Sequence, residues 1–216
     1  DAATAVFKPI DARWVFNFEK WQPSEEEWQK CLSLIPNEEQ VRIGRFRIPT
    51  KEGNIVGRMN PNAKSSLIGR LMLRKCAVEN FGLPAKDPIW RRTTEGKPFL
   101  LNIPTELDSY TSSADGLSRA AYNMNVSHDG QLVAFVSGRD FVLGVDVMSN
   151  TRAGSETSDV FFSYFEENFT TQEWKAIRSP SSESGKFEAF FQHWTLKESY
   201  IKSIGIGLGF ELQRAE

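Results

Sequence analysis

The run Trp194-Thr195-Leu196-Lys197-Glu198-Ser199-Tyr200-Ile201-Lys202 constrains this chain more than any other stretch. It lies within 185–205, which has glycine at both ends. Its large apolar residues recur at three- and four-residue steps, so Phe187, Phe191, Trp194 and Ile201 share one stripe of a helix. Glu198 falls on the same stripe, four residues after Trp194 and three before Ile201. A carboxylate turned towards a core is costly unless a cation, a metal or a hydrogen-bond donor meets it. Lys202 lies four residues further on, in the favourable Glu-to-Lys order. Two readings of Glu198 stand at this point: a half-buried helical ion pair, or a carboxylate that ligates metal or accepts a proton.

Composition narrows the class. The chain has 216 residues, 40% hydrophobic and 12% aromatic, which is enough for a real core in one large or two small domains. A net charge of −2 argues against a nucleic-acid binder. No apolar run approaches the roughly 20 residues of a membrane span. The first residues, Asp1-Ala2-Ala3-Thr4-Ala5, lack the pattern of a signal peptide. Cys31 and Cys76 form neither a disulfide framework nor a zinc spacing, so a reducing, cytoplasmic setting is expected.

Read in order, Arg13-Trp14-Val15-Phe16-Asn17-Phe18 predicts a strand. Ser24 with Glu27 is a capping box opening a helix, and Asn37 with Gln40 marks another start. Residues 49–62 read as a loop, 63–80 as a long helix, and Gly82 with Pro84 ends it. Residues 91–100 read as strand, turn, strand, and 103–119 as a polar surface connection. Two strands, 122–127 and 131–137, flank a His128-Asp129-Gly130 turn. A strand over 141–148, a loop over 150–158, a short helix over 159–168 and a helix capped by Thr170 and Glu173 precede the central helix. A strand is expected to begin at Phe210-Glu211-Leu212. Strand, three helices and strands thus occur once in full, and the order starts again at Phe141. This predicts an α+β fold of two pseudo-equivalent α/β subdomains, 1–140 and 141–216, the second incomplete. A lone last strand would have unpaired edges, so the natural chain is expected to continue past Glu216.

Three features bear on chemistry. Asp146 ends an apolar stretch, Glu198 sits on the central helix, and two acids on separate elements suit a hard ion such as Mg²⁺. The third is a set of basic groups at turns: Arg92 and Lys97 around Gly96, His128 after Ser127, and Lys202. Basic groups beside a metal make a phosphate site.

Taken together, Gly96-Lys97-Pro98, Asn125-Val126-Ser127-His128, Gly144-Val145-Asp146 and the Trp194–Lys202 run resemble the 4′-phosphopantetheinyl transferases, in particular the single-chain, broad-specificity type of animals. The match extends from Arg13-Trp14 to Gln213-Arg214. The resemblance implies that family's fold, with the active site between the subdomains. It also implies a reaction: 4′-phosphopantetheine moves from coenzyme A to a serine of an acyl or peptidyl carrier protein, releasing adenosine 3′,5′-bisphosphate. By motif match, Asp146 and Glu198 would ligate Mg²⁺, or Mn²⁺, and Glu198 would take the serine proton. Lys202 and His128 would contact phosphates. Arg92, Gly96, Lys97, Asn125 and Ser127 would line the nucleotide and 3′-phosphate pocket, and Arg42 would reach the same ligand. The implied partners are carrier domains of fatty-acid synthase and aminoadipate-semialdehyde dehydrogenase, with the chain a monomer.

Many bacterial relatives carry a second acid where this chain has Met148; Asp129 or a water is the expected replacement. The animal type shares that departure. His193 matches no motif and reads as structural. The competing reading is a non-catalytic module that binds coenzyme A or a carrier, and retention of both Asp146 and Glu198 argues against it.

Overall fold

The computed structural model describes residues 12–50, 53–56, 60–84, 88–92, 97–102, 122–139, 141–150, 156–206 and 209–215. Gly96 and the expected connection 103–119 lie outside the described residues.

A three-stranded antiparallel sheet carries the first part of the chain, in the order β1 (Ala12–Asn17), β7 (Leu132–Arg139), β6 (Tyr122–Asp129). Trp14 of β1 stacks on Phe135 of β7 with ring centroids 4.9 Å apart. Helix α3 (Pro61–Phe81) lies across the sheet, and Ile68, Met72, Cys76 and Ala77 join Met124, Val133 and Phe135 in one buried cluster. α3 buries residues on nearly every side, because α1 (Glu25–Ser33) and α2 (Asn37–Ile43) cover its other face through Trp28, Ile35 and Ile43. Ser24 and Glu27 form the reciprocal capping box expected of α1.

Several expected elements take a different form. Residues 49–62 are not one loop. They overlap an antiparallel hairpin, β2 (Arg47–Thr50) with β3 (Gly53–Val56), and Asn60 caps α3, which starts at Pro61. Pro at a first helical position lacks only an N–H that would have no partner there, so it begins the helix rather than forbidding it. β4 (Trp90–Arg92) pairs with β5 (Pro98–Leu100) as expected. β6 runs through His128 and Asp129, which pairs with Leu132, so the two-residue turn is Gly130-Gln131. Gly130 sits at φ 55°, which glycine adopts without strain.

Beyond β7 the chain is helical. α4 (Ser158–Ser163) and a 3₁₀ turn (Glu166–Asn168) replace the single helix expected over 159–168. α5 (Thr171–Arg178) has its Thr170–Glu173 capping box. α6 (Glu183–Ile204) begins two residues before Gly185, because the Ser182 hydroxyl accepts from the Gly185 N–H and makes Ser182 the N-cap. The core here is aromatic: Phe162, Phe169, Trp174, Phe187 and Phe190 are buried, and Phe162 stacks on Phe190 at 5.3 Å. The expected strands over 141–148 and at Phe210-Glu211-Leu212 are not formed; the first is an unpaired segment, and the second leads into a 3₁₀ turn (Leu212–Arg214). A strand requires a neighbour, and among the described residues no other strand lies in this part of the chain.

Candidate functional site

The segment 141–149 docks on the polar face of β6. In a strand, alternate residues share a face, and here Asn123, Asn125, Ser127 and Asp129 do so. Asn125 Oδ1 accepts from the Val145 N–H at 3.0 Å, and Asp129 Oδ2 accepts from the Ser149 N–H at 2.6 Å. Asn123 Oδ1 accepts from Lys97 Nζ at 2.8 Å. Side chains of β6 thus satisfy backbone donors that a ladder strand would otherwise meet. On its other side the segment lies against α6. A β-carbon on Gly144 would fall 1.9 Å from the Ser199 carbonyl oxygen and 2.6 Å from the Ser203 nitrogen, so only glycine permits this approach.

That docking brings the two acids together. Ser127 Oγ donates to Asp146 Oδ1 at 2.9 Å, and Lys202 Nζ reaches across from α6 to pair with Asp146 Oδ1 and to donate to Ser127 Oγ at 2.9 Å. Glu198, one turn before Lys202, faces the same point. Burial, then the charge of Asp146, pushes the Glu198 carboxyl above the ordinary glutamate range, and Lys202 pulls it partly back. The half-buried helical ion pair of Glu198 with Lys202 is not formed; Lys202 is drawn to Asp146 instead. Two carboxylates on facing elements are the oxygen donors that a divalent cation takes.

Asp129 does not join them. Its carboxylate is engaged by the Ser149 N–H, and among the described residues no group of three His, Cys, Asp or Glu side chains is placed to hold a metal. Asn125 and Ser127 serve as scaffolding for the segment and for Asp146. Lys97 is a tie between elements: besides Asn123 it donates to the Ser203 carbonyl at 2.7 Å and to the Leu143 carbonyl at 3.4 Å, and burial pushes its pKa down. The basic groups gather elsewhere. His128 is held below its usual pKa by burial first, then by Lys202 and Arg70, with Asp129 opposing. Arg42 and Arg92 both act on Arg70 of α3. His193 Nδ1 contacts the Ala189 carbonyl one turn back at 2.7 Å, as a structural residue would.

Two residues escaped the sequence reading. Lys197, only 3% exposed, pairs with Glu173 at 2.8 Å and donates to the carbonyls of Leu212 and Ala215, both at 2.8 Å. Glu173 also caps α5, so one carboxylate serves both. The signal was present: Lys197 lies three residues after Trp194, as close to the core stripe as Glu198. Arg70 is the other, and a charged residue beside Gly69 in mid-helix was its only mark. An apolar cavity of about 730 Å³ between β1 and α3, lined by Trp14, Phe16, Ile68 and Met72 among others, involves none of the predicted site residues.

The comparisons with known proteins bear on the same residues. The family described as "4'-phosphopantetheinyl transferase, N-terminal" matches residues 19–140, and the "4'-phosphopantetheinyl transferase superfamily" matches 142–216. Over 94% of its length the chain is 35% identical to the L-aminoadipate-semialdehyde dehydrogenase-phosphopantetheinyl transferases of Xenopus laevis and Homo sapiens, covering 60% and 59% of those proteins. It is 26% identical to a phosphopantetheinyl transferase of Thraustochytrium sp., covering 63% of it. The chain thus spans about 60% of the length of the curated relatives it matches. The order of its motifs, the meeting of Asp146 with Glu198, and two family matches that together run from residue 19 to residue 216 agree: this chain belongs to the 4′-phosphopantetheinyl transferase superfamily.

Proposed function

We propose that this chain supplies the site of a 4′-phosphopantetheinyl transferase acting with Mg²⁺ or Mn²⁺ on coenzyme A and a carrier-protein serine. The observation that carries the reading is the meeting of Asp146 and Glu198 across 141–149 and α6, with Lys202 paired to Asp146 and a basic cluster alongside. The acids fit a metal because the charge of Asp146 adds to the cost of ionising Glu198; a divalent cation held by both would remove that cost and neutralise the pyrophosphate.

Each side chain then has a task. Lys202 and His128 bind phosphate oxygens, and Arg42 and Arg92 meet the nucleotide end. Lys97 holds β5 against α6 and 141–149, which keeps the cleft in register. Glu198, facing Asp146 from α6, would be the group that takes the serine proton. The carrier serine oxygen attacks the phosphorus bearing the pantetheine, its proton passes to Glu198, and the bond to the bridging pyrophosphate oxygen breaks. Adenosine 3′,5′-bisphosphate leaves with that oxygen. Such a transfer depends mainly on positioning and charge neutralisation.

Aminoadipate-semialdehyde dehydrogenase and fatty-acid synthase carrier domains are the proposed partners, the first following the name that the relatives carry. The proposed setting is cytoplasmic, as a monomer of two subdomains divided near residue 140. Among the described residues no helix is long and apolar enough to cross a membrane.

Mass spectrometry of an apo carrier protein incubated with coenzyme A, Mg²⁺ and this chain tests the proposal. A carrier heavier by one phosphopantetheine is expected. An unmodified carrier beside tight coenzyme A binding would assign a binding module instead.

A further inference from the structure

We propose that Lys197 is a positioning residue for the transfer: clamped to α5 and to the segment 209–215, it fixes the rotation of α6 about its own axis and so aims Glu198 at Asp146. The inference rests on the function proposed above and ties the segment 209–215 to the working of the site.

The Lys197 ammonium is held by every donor it has. An ammonium carries three N–H donors, and here three acceptors meet them at 2.8 Å: Glu173 Oε1 of α5, the Leu212 carbonyl and the Ala215 carbonyl. The acceptors are fixed in their turn. Glu173 Oε2 accepts from the Thr170 N–H at 2.8 Å, which locks the carboxylate to the start of α5. Gln213 Nε2 donates to the carbonyls of Glu167 and Phe169 at 3.1 and 3.4 Å, and the Phe210 ring lies 5.6 Å from that of Tyr200. The turn that offers two carbonyls to Lys197 is thus pinned to the chain just ahead of α5. A buried ion pair adds little stability over apolar residues of similar volume, and its best-attested use is to fix register.

This anchor lies where the aim of Glu198 is decided. The buried residues of α6 are Phe187, Phe190, Lys197 and Ile201. Phe187 and Phe190 belong to the aromatic core, and apolar burial is non-directional. Lys197 holds by directed bonds, and it is the residue next to Glu198. Consecutive helical side chains point about 100° apart, so a fixed Lys197 fixes the direction of Glu198. A helix with its side chains has a radius of about 5–6 Å, so a rotation of about 10° moves a carboxylate by about 1 Å. A misplacement of about 1 Å is enough to cost about 100-fold in rate. On its other side α6 meets the Gly144 backbone and, through Lys202, Asp146. The helix is therefore set between two specific contacts, and Lys197 supplies the one that faces away from the 141–149 segment.

Three measurements on the wild type, Lys197→Met, Gln213→Ala and Ile177→Val test this: kcat for modification of an apo carrier protein, referred to the folded fraction; calorimetry with Mn²⁺ in the presence of coenzyme A; and calorimetry with coenzyme A alone. Lys197→Met keeps the length of the side chain and removes its donors. It should lose about 10–100-fold in kcat and lose Mn²⁺ affinity in parallel, because Glu198 is a proposed metal ligand, while affinity for coenzyme A alone stays within about two-fold. Gln213→Ala, at an exposed position, loosens the segment without stranding a charge. It should lower kcat several-fold, and it carries the test if Lys197→Met fails to fold. Ile177→Val trims the same core without touching the clamp and should keep the wild-type kcat in its folded fraction. Wild-type kcat and Mn²⁺ affinity in folded Lys197→Met, or in Gln213→Ala where that variant carries the test, would reduce Lys197 to a structural pair and overturn the inference. So would an Ile177→Val that loses as much. A wild type that leaves the carrier unmodified would overturn the proposed function itself, and this inference with it.

Discussion

The two parts of this chain solve the same problem with different materials. Residues 12–139 bury a sheet against α3, with strand paired to strand and a mixed core around Met72, Cys76, Val133 and Phe135. Among the described residues, 141–215 build a core almost wholly of Phe and Trp between the short α4 and α5 and the long α6, and the extended segment 141–149 finds no strand to pair with. It borrows its partners: Asn125 and Asp129 of β6 take its N–H groups, Lys97 takes the Leu143 carbonyl, and Ser127 takes Asp146. The first part holds itself together, whereas the second is completed by the polar face of the first. The candidate site lies along that seam because the borrowing places Asp146 opposite Glu198.

Four substitutions test this contrast, and the largest effect should come from Glu198→Gln. It removes the proposed proton acceptor and should lower kcat by about 10²–10⁴-fold while coenzyme A binding persists. Its effect on stability has the opposite sign. The folded-state pKa of Glu198 is raised, so the folded protein holds that proton more tightly than the unfolded chain and loses stability as pH rises through the window above 4.5. Glu198→Gln should therefore melt higher than the wild type near neutral pH, with the gain fading below pH 4.5. A lower melting temperature at neutral pH would mean that the carboxylate is a structural ion-pair partner after all.

Lys197→Met comes next. It strands Glu173, whose side chain is 13% exposed, without its cation, and breaking a buried pair costs roughly 3–5 kcal/mol. Hydrogen exchange should show α5 and α6 deprotected while β6 and β7 stay protected; loss of both together would dissolve the contrast between the two parts. Gly144→Ala should follow, at about 1–3 kcal/mol for forced overpacking, since its β-carbon collides with α6 backbone. Chemical denaturation gives the energy, and activity should fall further than stability because Asp146 moves with the segment. Asp129→Ala is the smallest. It removes one hydrogen bond to Ser149 at an exposed position, about 1 kcal/mol. Calorimetry with Mn²⁺ in the presence of coenzyme A should find metal affinity unchanged; a large loss would return Asp129 to the metal shell.

Much of this protein was legible in local chemistry. The capping boxes at Ser24 and Thr170, the glycine stop after α3 and the periodicity of α6 are written within a few residues, because helix ends and amphipathic faces obey short-range rules. The motifs that named the family are equally short. Pairing was less legible. The hairpin of β2 and β3 was hidden by glycine, proline and charge, and 141–148 carries the valines of a strand without a strand beside it. A strand is a relation between two segments, so apolar residues alone do not settle it. Side-chain direction was decided last. Sequence placed Glu198 on the buried stripe and Lys202 one turn away, but only the docking of 141–149 on β6 drew Lys202 to Asp146 and left Lys197 as the buried cation. Local order follows from neighbours in the chain. The charge on a catalytic carboxylate follows from neighbours in space, and those are supplied by the fold.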